Sequence, residues 1–337
     1  MSLPAVGQVL KKVSLVACAC LVALVLAEVA LHLFRPQYYP VNPAAYEYDG
    51  EAAFRPRADT HAFRTTDYEQ ENKTNRLGTS NFQDSFHGYE SFVFAVGDSY
   101  TQGTGLPADM SYPFQLDLTL NTDGQGLYVK QYAVVNLGVA GYGGEQSLVS
   151  LRRWAARAGP PAAILYLGCD NDLEDDLAFR SGDRHRIVIA GSPAWGRLTT
   201  PLRFLLERTH LGLAARAAYR QRVRDHMAGE TRRRQGAASA SVAELESSVF
   251  ERLKAFADEQ QALLVVGWSD EGESYRWLKG WAERNGVAFA DWAPRTNAVR
   301  AMMPTLPLDN RHSGGHHRGW TNRLLAEEFA RQIRVRR

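Results

Sequence analysis

Beyond residue 90 the chain alternates two hydrophobic patterns. Short, continuous apolar runs occur at SFVFAV (Ser91 to Val96), YAVVNLGV (Tyr132 to Val139), AAILYLG (Ala162 to Gly168), ALLVVGW (Ala262 to Trp268) and VAFADW (Val287 to Trp292). Between them lie stretches with helical spacing of apolar positions, at Glu145 to Ala158, Val242 to Glu259 and Ser274 to Asn285, and an amphipathic stretch from Asn322 to Ile333 closes the chain. Runs with no polar alternate face belong to strands buried on both sides, and helices between them supply the cover. The pattern predicts a doubly wound α/β domain: three layers around a parallel sheet of about five strands. In such sheets ligands bind beyond the carboxyl ends of the strands, which gives a positional test for any candidate site.

Two regions depart from this alternation. From Val13 to Phe34, VSLVACACLVALVLAEVALHLF, 22 residues are interrupted, after Ser14, only by Glu28 and His32. As a helix they span about 33 Å, enough for the hydrocarbon core of a bilayer. Lys11 and Lys12 precede the run, so the positive-inside rule keeps them cytoplasmic and sends the rest of the chain across the membrane, although Arg35 weakens the asymmetry. A cleaved signal and a lipidated Cys18 are the rivals. Only five residues separate Lys12 from Cys18, short of a signal core, and an uncleaved signal anchor is the preferred reading. The second departure lies between Leu177 and Ala240. Arg180 to Arg234 holds thirteen Arg, four acidic residues and no Lys, and its apolar positions have helical spacing, as in a helical cap with a solvated basic face. Contact with anionic headgroups or an anionic glycan is the functional alternative. The expected organisation is therefore a stub and anchor over residues 1–34, a linker over 35–82 and the α/β domain over 83–337, with a basic helical insertion at about 177–240.

Composition changes this picture little. With 45% hydrophobic and 23% charged residues the chain has the make-up of a packed globular protein. A net charge of +2, without zinc-finger spacing or basic-aromatic interleaving, argues against a nucleic-acid partner. Of three cysteines, Cys18 and Cys20 fall within the apolar run. Cys169 is left as the one thiol of the exported part, so no disulfide framework forms within it.

Four segments pass the positional test. GDSYTQG, with Ser99, follows the first apolar run; NLGVAGYG, Asn136 to Gly143, ends the second; GCDND, Gly168 to Asp172, ends the third; and DNRHSGGHH, Asp309 to His317, precedes the last helix. A nucleophilic hydroxyl needs a base within hydrogen-bond reach, a group that orients the base, and donors aimed at the oxyanion. The four segments supply a candidate for each. In this order they resemble the four blocks of the SGNH, or GDSL-type, hydrolases, over roughly Phe92 to Ile333 with the Leu177 to Val242 region outside. The membrane segment and linker resemble a membrane-anchored subgroup.

The resemblance implies a flavodoxin-like layout and makes Ser99 the nucleophile, its own N–H, Gly141 N–H and the Asn171 side chain the oxyanion donors, and Asp309 the partner of the basic histidine. Gly141 is preferred over Gly138 as the later glycine of its block. GCDND carries one residue more between Gly168 and Asn171 than the family's Gly-x-Asn-Asp. The last block leaves two bases open. His312 fits Asp-x-x-His literally, whereas the family's spacing of about ten residues to a small residue on the buried face of the final helix, counted back from Ala326, reaches His316. His316 is favoured, and His317 is disfavoured because it points away from its neighbour. Ser269 in GWSDEG lacks the second glycine of a nucleophile elbow; Cys169 reads as a core residue; the acidic run DNDLEDD reads as a solvated loop rather than a Ca²⁺ site; and GVAGYGG does not fit a dinucleotide fingerprint. No cofactor and no metal are expected. The expected activity is that of an esterase acting outside the cytoplasm, in the periplasm or extracellularly, on an acyl-ester substrate such as the O-acyl groups of a glycan. An O-acyltransferase acting on an exported polysaccharide, and a silent binding or scaffold module, are the alternatives.

Overall fold

The computed structural model describes residues 3–34, 46–65, 69–180, 209–212, 214–215, 247–310 and 316–336. The chain divides into two compact units, residues 1–39 with 193–237, and residues 40–192 with 238–337. In the first unit, α1 (Leu3–Phe34) contains a 24-residue apolar stretch, Lys11–Phe34, long and apolar enough to cross a membrane, a test that a signal sequence also passes. Glu28, near its far end, accepts from the backbone N–H groups of His210 (2.6 Å) and Leu211 (2.7 Å), and His32 Nδ1 lies 2.9 Å from His210 Nε2. An ionisable residue in an apolar helix is thus paired rather than left bare. Most of the basic insertion lies outside the described residues.

The second unit is built on five strands: β5 (Ser91–Gly97), β6 (Tyr132–Asn136), β7 (Ala163–Gly168), β8 (Leu263–Trp268) and β9 (Ala288–Phe289), in the order β6-β5-β7-β8-β9. All neighbours are parallel. Val93 to Val96, Ala163 to Leu167, and Val265 with Val266 are buried on both faces. Helices close the two sides: α2 (Ser99–Gln102), α3 (Tyr112–Asn121), α4 (Gly144–Ala158), α5 (Asp172–Arg180), α6 (residues 247–259), α7 (Glu273–Arg284), α8 (Ala293–Met302) and α9 (Gly319–Val335). This is the doubly wound α/β layout that the apolar runs predict. Its strand order reverses between β5 and β7, so the carboxyl ends of those two strands flank the switch-point crevice.

Two readings need correction. Residues 46–73, expected within a linker, contain two antiparallel hairpins, β1 (Tyr46–Asp49) with β2 (Ala53–Pro56) and β3 (His61–Thr65) with β4 (Glu69–Lys73). The first turns on Asp49-Gly50, where Asp49 Oδ1 accepts from Glu51 N (3.0 Å) and Ala52 N (2.9 Å). An Asp-Gly pair between apolar-alternating residues is a hairpin signal in its own right. The acidic run DNDLEDD is likewise not a solvated loop, because most of it forms the first turns of α5 and buries Asp172 and Asp176.

Asp176 holds α4 in place. Its carboxylate accepts from the first amides of that helix, Gly144 N at 3.1 Å and Glu145 N at 2.8 Å, orphan donors that no intrahelical carbonyl can serve. Burial outweighs those two amides, and the charge of Glu145 adds to it, raising the Asp176 carboxyl to about 7. The protonated form is therefore favoured by folding. This contribution is fully present below the ordinary carboxylate range and is lost as pH rises through about 7. Asp176→Asn, which does not titrate, should show a flatter dependence of the thermal midpoint on pH between about 4.5 and about 8 than the wild type. Parallel curves would contradict the assignment.

Candidate active site

β5 delivers the Gly-Asp-Ser segment to the carboxyl edge of the sheet. Asp98, buried, caps α2: its Oδ1 accepts from Tyr100 N at 2.9 Å. Asp98 Oδ2 accepts from Ser99 Oγ at 2.8 Å and lies 3.0 Å from Cys169 Sγ, whose single proton has Asp98, Asn171 and Asp172 oxygens as alternative acceptors. Ser99 is the first residue of α2, where a backbone N–H has no intrahelical acceptor. His316, 217 positions later in the chain, places Nε2 2.7 Å from Ser99 Oγ. Tyr100, which follows the serine, packs its ring 4.9 Å from the His316 ring and 5.0 Å from that of His317. Burial, reinforced by the charge of Asp270, pushes the Tyr100 phenol far up, so it stays neutral beside the histidines.

The histidines sit on a short antiparallel pair, β10 (Asp309–Asn310) and β11 (His316–His317), in which Asp309 faces His317 and Asn310 faces His316. Residues directly opposite share a face, and successive residues alternate. Asp309 Oδ1 accordingly lies 2.8 Å from His317 Nδ1, while His316 is turned toward Ser99. The expectation that Asp309 contacts His316 directly is corrected here by the strand register. His317 is buried, and its Nε2 lies 2.7 Å from the carbonyl oxygen of Ser269. A carbonyl only accepts, so the Asp309–His317–Ser269 chain holds two protons: either both ring nitrogens donate, or Asp309 carries its own. Asn322 of α9 clamps the pair from behind. Its amide donates to the carbonyls of His317 (3.3 Å) and Arg318 (3.1 Å), and its oxygen accepts from Tyr112 N (3.0 Å). His312 lies outside the described residues.

The second segment passes over α2. A Cβ on Gly138 would fall 2.4 Å from Gln102 N and 2.6 Å from Thr101 C, so only glycine lets the two backbones meet. The N–H of Gly138 is taken by Asn136 Oδ1 at 3.0 Å. Gly141, at φ +85°, holds the left-handed corner of the loop, and among the described residues its N–H donates to no protein acceptor. Asn171 follows β7 and is exposed; one amide N–H donates to Asp175 Oδ2 at 2.7 Å, and its oxygen lies 2.9 Å from Cys169 Sγ. The structure thus brings Ser99 and His316 into contact and shows Asn171 engaged with Asp175 and Cys169.

Asp98, Cys169 and Asp172 form a buried cluster, their ligand atoms all within 4.8 Å of one another. Burial and the charge of Asp98 raise the Asp172 carboxyl well above its usual range, and burial and Asp172 do the same to the Cys169 thiol. Both are shifted toward their protonated forms, and the cluster has hydrogen bonds of its own, including Tyr166 to Asp172 at 2.5 Å. A thiol raised in this way is a poor nucleophile. Ser269 is buried; its hydroxyl donates to Asp270 Oδ2 at 2.7 Å, and His317 bonds its backbone carbonyl rather than this hydroxyl.

No family model matches the chain, and none of the curated proteins matches it. Solved structures do. A member of the lipolytic protein G-D-S-L family from Veillonella parvula is 14% identical over 70% of this chain and 94% of that one, at a TM-score of 0.39. TesA is 14% identical over 72% of this chain and 98% of that one, at a TM-score of 0.41. Both are remote in sequence and in backbone.

Proposed function

We propose that this protein is a membrane-anchored serine esterase of the SGNH type, working through an acyl-enzyme outside the cytoplasm, on esters such as the O-acyl groups of a glycan. The reading is carried by one contact, Ser99 Oγ to His316 Nε2 at 2.7 Å between segments 217 residues apart. Ser99 has one proton and two acceptors, Asp98 Oδ2 and His316 Nε2. Attack on an ester carbonyl requires that proton to pass to His316 as the Oγ–C bond forms. The oxyanion is received by the N–H groups of Ser99 and Gly141 and by the second amide proton of Asn171. Collapse expels the alcohol, which takes the proton from His316; water then repeats the sequence on the acyl-serine and regenerates the enzyme. Asp309 acts at one remove, through His317. Lys11 and Lys12, at the start of the apolar stretch of α1, support the membrane orientation.

Full-length protein in detergent, incubated with p-nitrophenyl acetate and separately with a fluorophosphonate probe, tests the reading. Serine-dependent ester cleavage with labelling of Ser99 is expected. Acceleration by an added polysaccharide, with acyl groups appearing on it, would make the protein a transferase. Neither cleavage nor labelling would leave a binding module. Asn171→Ala should lower kcat by about 10²-fold, the usual loss for one oxyanion donor, with KM little changed; an unaltered kcat would remove Asn171 from the site.

A further inference from the structure

The geometry points to the β1–β2 hairpin as a positioning element for the oxyanion loop, with Tyr46 and Phe54 as its working residues. This rests on the reading of Ser99 as nucleophile and Gly141 N–H as an oxyanion donor. The hairpin precedes every block of the catalytic pattern in sequence, yet it packs directly on the loop that carries Gly141. Tyr46, Ala53, Phe54, Val139 and Tyr142 form one buried cluster, separate from the main core. The Phe54 ring stands edge-on to Tyr142 at 5.0 Å, and its tip lies 3.9 Å from where a Cβ on Gly141 would be. The Tyr142 hydroxyl donates to the Phe54 carbonyl.

A single oxygen ties the hairpin to both reacting elements. Gln102 Oε1, three residues past the nucleophile on α2, accepts from Tyr46 Oη at 3.0 Å and from Ala140 N at 3.2 Å. The hairpin, the nucleophile helix and the residue before Gly141 therefore meet at one acceptor. From outside, Arg153 of α4 grips Asp49 with two bonds of 3.0 Å, and Gln146 Nε2 donates to Ala52 O at 2.8 Å. Burial pulls the Asp49 carboxyl up, but the Arg153 guanidinium and the two turn amides outweigh it and hold it below its usual range. The hairpin is thereby fastened at its turn while its aromatic end bears on the loop. An oxyanion donor contributes only when it is aimed before the charge develops. Displacement of such a donor by about 1 Å costs on the order of 10²-fold in rate. Neither Tyr46 nor Phe54 is proposed to touch substrate; both act through residues 140 and 141.

The test compares Tyr46→Phe, Phe54→Leu and Phe54→Ala in the full chain by kcat, KM, fluorophosphonate labelling rate and thermal midpoint. Phe54→Ala should lower kcat and the labelling rate together by about 10- to 10²-fold, with KM within a factor of about two. Phe54→Leu should recover most of the rate by refilling the space. Tyr46→Phe should cost about 5- to 10-fold in kcat, and combining it with Asn171→Ala should give more than the product of the two single losses, since the remaining donors then share the charge. Equal kcat in wild type and Phe54→Ala, or a change in KM alone, overturns the inference while Ser99 labelling stays intact. Absence of labelling in the wild type overturns the serine mechanism itself, and the inference falls with it.

Discussion

Ser99→Ala should lower kcat/KM for p-nitrophenyl acetate by about 10³-fold or more and abolish fluorophosphonate labelling, with the fold retained. The change removes one oxygen from a site already supplied with hydrogen bonds. Asp98 keeps Tyr100 N as a donor to its Oδ1, so the α2 cap survives and the buried carboxylate is not left bare. The loss then falls on chemistry rather than stability. What residual rate persists measures the binding and oxyanion contributions alone. The control is Ser269→Ala, whose hydroxyl bonds to Asp270 and has a carboxylate for its neighbour. Full activity in Ser99→Ala, with loss in Ser269→Ala, would move the nucleophile to the end of β8 and end the present account.

The parts of this molecule legible in sequence are those set by short-range pattern. The five apolar runs became the five strands because a strand covered on both faces tolerates no polar alternate, and their ends placed Ser99 and Asn171 at the crevice. His316 is reached only through the family resemblance, whose spacing of about ten residues counted back from Ala326 lands on it; the last helix itself starts at Gly319. What remained hidden depends on register and burial. Asp309 reads as the partner of the basic histidine until the pairing of Asp309 with His317 shows which face it occupies. A one-residue shift would reverse it. The run Asp170 to Asp176 looks solvated because five of its seven residues are acidic, yet Asp172 and Asp176 point inward at helical spacing of four and find Tyr166, Cys169 and the start of α4 as donors. The Asp49-Gly50 turn signal is passed over in favour of a linker, and the pairing of Asp49 with Arg153 across 104 residues leaves no local pattern to read.

The two adjacent histidines should separate cleanly by mutation. His316→Gln should lower kcat by about 10³-fold or more while leaving the thermal midpoint nearly unchanged, because the half-exposed ring makes its decisive bond to Ser99 and an amide cannot relay a proton. His317→Gln should act chiefly on stability, with a rate loss of about 10-fold or less. Its ring is buried between Asp309 and the Ser269 carbonyl, and one amide cannot serve both at the same geometry, so an unsatisfied buried acceptor costs about 1 to 3 kcal/mol of stability. Asp309→Asn decides how the acid contributes. A carboxylate bonded directly to the catalytic imidazole is worth about 10⁴ in kcat at constant geometry. An acid that acts through a neighbouring histidine and a strand position should cost much less in rate, about 10-fold, and show its loss in the thermal midpoint. If Asp309→Asn instead matches the full rate loss at unchanged stability, the β10–β11 register shifts during turnover and brings the carboxylate onto His316.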